Sequence, residues 1–458
     1  MRRIACTRTF RPTEAPRSFR ILALDRGSGT HARHRSTKIN TPCRIRELLT
    51  DLSLTVRGAP INIASVTPPA VTDRLHQNLG TQVSPVRFHR PYLTGNEEAH
   101  IAKALASGHF HGDGPYSEAV AAELSHLTAS PSVLLTPSCT HALELSGLLL
   151  DIEPGDEVIM PSFTFVSTAN AYVLRGAKPV FVDVDPVTLN IDPAATASAI
   201  TPRTKAIVVV HYAGVSCEMD QLLALGNKHG VPVIEDNAHG LGGTWKDRPL
   251  GSIGSLAALS FHDTKNFQCG EGGALLINDP SLVHRAEILR EKGTNRRAFM
   301  RGDIDKYSWV EIGSSYLLSE VLAAMLGAQL SAFEYVQKSR HRIWSRYKTE
   351  LESWAQSEGI QLPAPHEDST HAAHLFHILL PSAGKRHDFL DHMKANNVGS
   401  AFHYVPLHST RIAQELGHVG DLPVTDSVAS RLARLPLYPD LTNGEVDRVL
   451  EVVTSFTS

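Results

Sequence analysis

Short runs of consecutive apolar residues recur through the middle of the chain: Glu157-Val158-Ile159-Met160, Pro179-Val180-Phe181-Val182-Asp183, Ala206-Ile207-Val208-Val209-Val210, Pro232-Val233-Ile234-Glu235 and Leu256 to Phe261. Their apolar character is continuous rather than alternating, which marks strands buried on both faces, and segments of good helix formers lie between them. The spacing predicts an α/β fold with a largely parallel sheet covered by helices on each side. Before the first run, a helical stretch around Lys103, Ala104 and Leu105 ends in the loop His109-Phe110-His111-Gly112-Asp113-Gly114-Pro115. Sheets of this kind bind ligands beyond the carboxyl ends of their strands, so the residues just after each run are the ones to inspect.

This pattern begins only near Pro85. Residues 1–85 are rich in Arg, Ser, Thr and Pro with little periodicity, and are expected to be a disordered basic extension. Residues 1–50 hold 12 Lys and Arg against 3 Asp and Glu, leaving 32 against 44 for the other 408 residues. The head is basic and the body acidic. A nucleic-acid or membrane arm, an organelle transit peptide and an over-long start assignment all account for the head, and its scattered arginines favour the last. The segment is expected to carry no catalysis. Elsewhere no apolar run approaches the roughly 18–20 residues of a spanning helix. The five cysteines (Cys6, Cys43, Cys139, Cys217, Cys269) lack any CxxC pair or metal-ligand spacing, so free thiols, no metal and a cytoplasmic location are expected.

Three segments carry candidate chemistry. Leu134-Leu135-Thr136-Pro137-Ser138-Cys139-Thr140 leads into the helix formers His141-Ala142-Leu143-Glu144-Leu145. A polar cluster opening a helix offers free backbone N–H groups and the positive end of the helix dipole, which suits a phosphate, although a Ser or Thr there is equally an ordinary cap. Asp236 follows the run ending at Glu235 and precedes Asn237-Ala238-His239-Gly240. A buried carboxylate there can hold the proton of a pyridine nitrogen, though an acid after a strand can also merely cap the next helix. Lys265 lies in Ser260-Phe261-His262-Asp263-Thr264-Lys265-Asn266, ahead of Gly270-Glu271-Gly272-Gly273. Most lysines are solvated surface residues, but one leaving a buried strand is desolvated toward a nucleophilic amine. In this order, the three segments jointly point to pyridoxal phosphate chemistry on a fold-type-I scaffold.

Taken with Pro161-Ser162-Phe163-Thr164-Phe165-Val166-Ser167-Thr168 and Leu435-Pro436-Leu437-Tyr438-Pro439, these motifs resemble those of the DegT-type sugar aminotransferases, in that family's order, from about Val86 to the C-terminus. Within the family, His211-Tyr212-Ala213-Gly214-Val215, Glu291-Lys292-Gly293-Thr294-Asn295-Arg296 and Ile312-Gly313-Ser314-Ser315-Tyr316-Leu317 look most like the dTDP-4-amino-4,6-dideoxygalactose transaminases. The resemblance implies a large domain over 86–335 with a mostly parallel seven-stranded sheet, and a smaller C-terminal α/β domain over 336–458. It implies pyridoxal 5′-phosphate as cofactor, with Lys265 bound to it covalently and then shuttling a proton. Asp236 would hold the pyridinium, His239 would lie near the ring's phenolic oxygen, and Phe163 would stack on the ring. Ser138, Cys139, Thr140 and Ser260 would surround the phosphate. Many relatives have Asn where Ser315 stands, reaching the partner's phosphate, and Arg where Leu317 stands, so Ser315 is a weaker match. The implied reaction takes an amino group from L-glutamate to C4 of dTDP-4-dehydro-6-deoxy-D-glucose, in a homodimer.

Three other readings compete. A sugar 3-dehydratase of the same fold would carry histidine where Lys265 stands. A non-catalytic regulatory relative is disfavoured by retention of both Asp236 and Lys265, and the acidic body does not suggest nucleic acid. A dinucleotide enzyme would need G-x-G-x-x-G after a strand, which Gly270-Glu271-Gly272-Gly273 does not supply.

Overall fold

A computed structural model describes residues 84–417 and 420–458, together with a short antiparallel strand pair, Leu54–Val56 with Ala59–Ile61. The remainder of the expected basic extension lies outside the described residues. From residue 84 onward, seven strands form one sheet: β1 (Ser132–Thr136), β2 (Glu157–Pro161), β3 (Lys178–Val182), β4 (Thr204–Val210), β5 (Val233–Asp236), β6 (Leu256–Ser260) and β7 (Gly273–Ile277). Their order is β1-β7-β6-β5-β4-β2-β3. Pairings from β6 across to β3 are parallel. Only β7 runs against its neighbours, so β1 points the same way as β5 and β6 and all three end on one edge.

Burial on both faces explains the continuous apolar runs. In β4, Ala206 and Val208 pack into one core, whereas Ile207 and Val209 enter the core on the opposite face. Val158 and Met160 divide from Ile159 in β2 in the same way. Each Val, Ile or Met so placed is removed from water, at roughly 1.5–3 kcal/mol apiece.

The C-terminal elements build a core of their own. Strand β8 (Phe376–Leu379) pairs antiparallel with β9 (Leu432–Leu435). Around them pack the long helix Phe333–Glu350 and the last helix, Asn443–Thr454, whose start is fixed by a reciprocal capping box between Thr442 and Glu445. Val86 belongs to this core, with its N–H on the Asn397 carbonyl at 2.9 Å.

Candidate active site

A cavity of about 780 Å³ opens beyond the carboxyl ends of β1, β5 and β6. Its first wall is the start of helix α1 (Cys139–Leu149), entered straight from β1. The Ser138 hydroxyl caps this helix, accepting the His141 N–H at 3.2 Å. The capping reading of Ser138 thus holds, and the amides of Cys139 and Thr140 remain at the first turn, where no helical carbonyl can reach them. Thr140 and Ser167 join hydroxyls at 2.8 Å on the same wall. What lets the turn lie so close to the sheet is Gly273, the first residue of β7: a Cβ there would stand 2.3 Å from the Ser138 carbonyl carbon and 2.4 Å from the Cys139 nitrogen.

The end of β5 carries two consecutive acids on opposite faces. Glu235, fully buried, accepts from the amides of Gly251, Ile253 and Gly254 at 2.6–2.8 Å and from His211 Nε2 at 2.9 Å. His211 Nδ1 accepts the Cys217 N–H, so its ring donates from Nε2 and the carboxylate keeps its charge. Its acceptor sites are filled. Asp236 faces the cavity and is less occupied: Thr168 donates its hydroxyl at 2.7 Å and the Ala238 amide lies at 3.3 Å. Burial pushes the Asp236 carboxyl above its usual range, against the pull of those two donors and of Lys265. It can still accept a further donor, and a cationic one would restore its charge.

Lys265 sits in the link between β6 and β7, half-buried on the cavity wall, with its amine held below the ordinary lysine range by burial, while Cys139 and Asp236 act in the opposite sense. Ser260, the last residue of β6, and His239, just past β5, complete this side. The His239 ring stacks on His374 at 4.1 Å, and burial and the Lys265 charge keep it neutral. Its Nδ1 is buried without a partner.

Of the residues expected from sequence, Ser138, Cys139, Thr140, Asp236, His239, Ser260 and Lys265 line this one cavity. Phe163 does not, which corrects its expected place. Its ring is buried against Tyr212 at 5.0 Å and Tyr404 at 5.6 Å, and two residues later Phe165, 58 % exposed, takes the cavity wall. Ser315 is exposed and lies off the cavity of its own chain, in a bridge with Glu291. Sequence reasoning missed Thr168 as the partner of Asp236, though it stood in a quoted motif. It also missed His374, His403, Tyr404 and Arg434, which the C-terminal elements bring to the wall.

These walls fit a phosphorylated pyridine aldehyde. Free amides await its phosphate, an under-occupied buried acid its ring nitrogen, an orphaned imidazole nitrogen its oxygen, and a desolvated amine its carbonyl. On a doubly covered, mostly parallel sheet, that fit defines a fold-type-I pyridoxal phosphate enzyme. The comparison with known proteins narrows the class. The chain belongs to the DegT/DnrJ/EryC1/StrS aminotransferase family, whose sequence profile matches residues 91–454. It is 37 % identical over 371 residues to the spore coat polysaccharide biosynthesis protein SpsC of Bacillus subtilis (strain 168), covering 79 % of this chain and 94 % of that one. Among solved structures it resembles the aminotransferase TlmJ from Streptoalloteichus hindustanus, at 31 % identity and a TM-score of 0.75 over 81 % of this chain and 98 % of the other. A PLP form of the putative sugar aminotransferase Spr1654 from Streptococcus pneumoniae matches at 27 % identity and a TM-score of 0.75, over 81 % and 98 % of the two chains. The homologues are PLP-dependent aminotransferases.

Proposed function

We propose that this chain moves an amino group from L-glutamate to C4 of a nucleotide-linked 4-keto-6-deoxy sugar, dTDP-4-dehydro-6-deoxy-D-glucose, yielding dTDP-4-amino-4,6-dideoxy-D-galactose and 2-oxoglutarate. The observation that carries the reading is the convergence of Asp236 and Lys265 on the cavity that begins at the α1 N-terminus. When bound, pyridoxal 5′-phosphate supplies a carbonyl that captures amines and a ring that draws electrons from the reacting carbon. The chain's own residues do the rest. The amides of Cys139 and Thr140, with the Thr140 and Ser167 hydroxyls, hold the phosphate at the positive end of α1. Asp236, braced by Thr168, accepts the ring N–H and keeps that proton in place. Phe165 presents an aromatic face to the ring, His239 supports the phenolic oxygen, and Ser260 adds a hydroxyl beside Lys265. The Lys265 amine, depressed by burial, takes the proton from the donor's α-carbon and returns one on the sugar side.

The working unit in this reading is a cytoplasmic homodimer, with neither nucleic acid nor membrane as a partner. Support comes from Leu174 and Ile312, 72 % and 74 % exposed, which line one small groove with Arg175 and Tyr316. Two large aliphatic groups left side by side in water suit a second copy. The test of the substrate is incubation of the holoenzyme with L-glutamate and a panel of dTDP- and UDP-linked keto-sugars, with the C4 configuration read by NMR. The expected product is the axial, galacto amine from the dTDP sugar. Selective turnover of another keto-sugar, or the gluco amine, refutes the assignment.

A further inference from the structure

Two guanidinium groups reach the cavity wall, and they are spent differently. Arg340, 3 % exposed, donates from Nε to the Ala373 carbonyl at 2.9 Å and from a terminal nitrogen to the His374 carbonyl. It is a strut for the loop that carries His374. Arg434, on β9, gives one donor to the Phe402 carbonyl at 2.9 Å and lies over the Phe88 ring at 4.8 Å. Its Nε is buried without a partner, and among the described residues no carboxylate pairs with it.

The groups beside it are uncharged. Burial, with the charges of Arg434 and Lys265, keeps His403 neutral by pushing its pKa down to about 2. The phenols of Tyr212 and Tyr404 are held in their neutral form by burial. Arg434 is therefore an unneutralised cation in a partly desolvated wall, an arrangement that suits an anionic ligand. Arg434 shares the wall of one cavity with Lys265, Asp236 and Tyr404.

The proposed reactants bring three free anionic groups, of which the γ-carboxylate of L-glutamate stands two methylenes away from the reacting carbon. The sugar nucleotide's diphosphate is attached at C1, across the sugar ring from the reacting C4. The donor's α-carboxylate is attached to the reacting carbon itself. We infer that Arg434 binds the α-carboxylate of the amino donor, through the guanidinium edge left free by Phe402, and so orients the donor's α-carbon toward Lys265. This inference rests on the proposed transamination.

Holoenzymes of the wild type, R434Q and R434K separate the possibilities. Stopped-flow spectra follow the two halves independently: loss of the visible band with L-glutamate, and its return when the amine-loaded form meets the keto-sugar. R434Q is expected to lower kcat/KM of the glutamate half about 10- to 100-fold, the range for losing a charge-assisted hydrogen bond. R434K should recover part of this, while the sugar half stays within about twofold and cofactor retention is unchanged. Titration with glutarate, an unreactive dicarboxylate, should show a similar weakening through its perturbation of the same band. A loss confined to the sugar half assigns Arg434 to the diphosphate, and weakened cofactor retention assigns it to the cofactor phosphate. Either result, equal losses in both halves, or no loss, overturns the inference. A wild-type enzyme that reacts with no amino donor would instead remove the transamination reading, which a change in R434Q alone cannot do.

Discussion

Replacing Asp236 with asparagine isolates one charge. The side chain is 5 % exposed and nearly isosteric with its replacement, and the amide oxygen can still accept the Thr168 hydroxyl at 2.7 Å. What is lost is the carboxylate proposed to hold the ring N–H, because an amide NH2 turned that way would meet donor with donor. The missing charge-assisted hydrogen bond accounts for about 1.5–3 kcal/mol, and preorganised groups in desolvated sites reach about 2.7–4 kcal/mol in the transition state. Turnover of Asp236→Asn should fall by roughly 10²–10³-fold, measured as the glutamate half-reaction at saturating donor. Folding should move the other way. Burial raises the Asp236 carboxyl above its unfolded value, so the folded chain binds more protons and wild-type stability declines as pH rises from the ordinary carboxylate range through the raised value. Asparagine removes that dependence. The cofactor-free variant should therefore melt at or above the wild type at neutral pH, with the gap closing as pH falls toward 4. Turnover within threefold of wild type, or a variant inactive only because it unfolds, refutes the reasoning.

Lys265→Ala should lose the visible band that borohydride fixes onto the chain, together with at least about 10²–10⁴-fold in turnover; peptide mapping of the reduced wild type should find the label on Lys265. Gly273→Ala should push the Ser138–Cys139 turn off the sheet, since the new Cβ meets backbone at 2.3 Å. A stability loss of about 1–3 kcal/mol and weaker cofactor binding are expected by melting and titration, whereas Gly444→Ala, which meets nothing within 4 Å in the first turn of the last helix, should leave cofactor binding unchanged and stability unchanged or slightly raised. Deleting residues 1–84 should leave fold, cofactor binding and activity intact. Deleting 1–90 should lower the melting temperature, because it removes buried Val86, its bond to Asn397 and the Arg90–Asp440 ion pair at 2.9 Å.

Much of the site was legible because its chemistry follows strands. Continuous apolar runs located β2 to β6, and the residues after β1, β5 and β6 are the ones that meet in the cavity. The antiparallel placement of β7 between β1 and β6 was not legible, because pairings such as Gly273 with Thr136 join segments more than 130 residues apart. Nor could the local pattern choose between Phe163 and Phe165. The choice is made by Tyr212 and Tyr404, which enclose the first ring. Arg434 did leave a trace, as a cation inside the otherwise apolar Leu432–Leu435, yet nothing nearby says which cavity such a residue would face.

The position of Lys265 within the β6–β7 link has a bearing on how the enzyme survives in a cell. The cofactor's proposed grips stand on β1, β5 and β6; β5 and β6 pair directly, but β1 joins them only through the antiparallel β7 that lies between it and β6. An incompletely assembled sheet offers no binding site, so the vitamin-derived cofactor binds the native chain alone. At a free concentration about a thousandfold above its dissociation constant, such a ligand adds about 4 kcal/mol to stability. A shortage of the vitamin would then remove protein as well as activity, as chains that fail to load are lost to proteolysis.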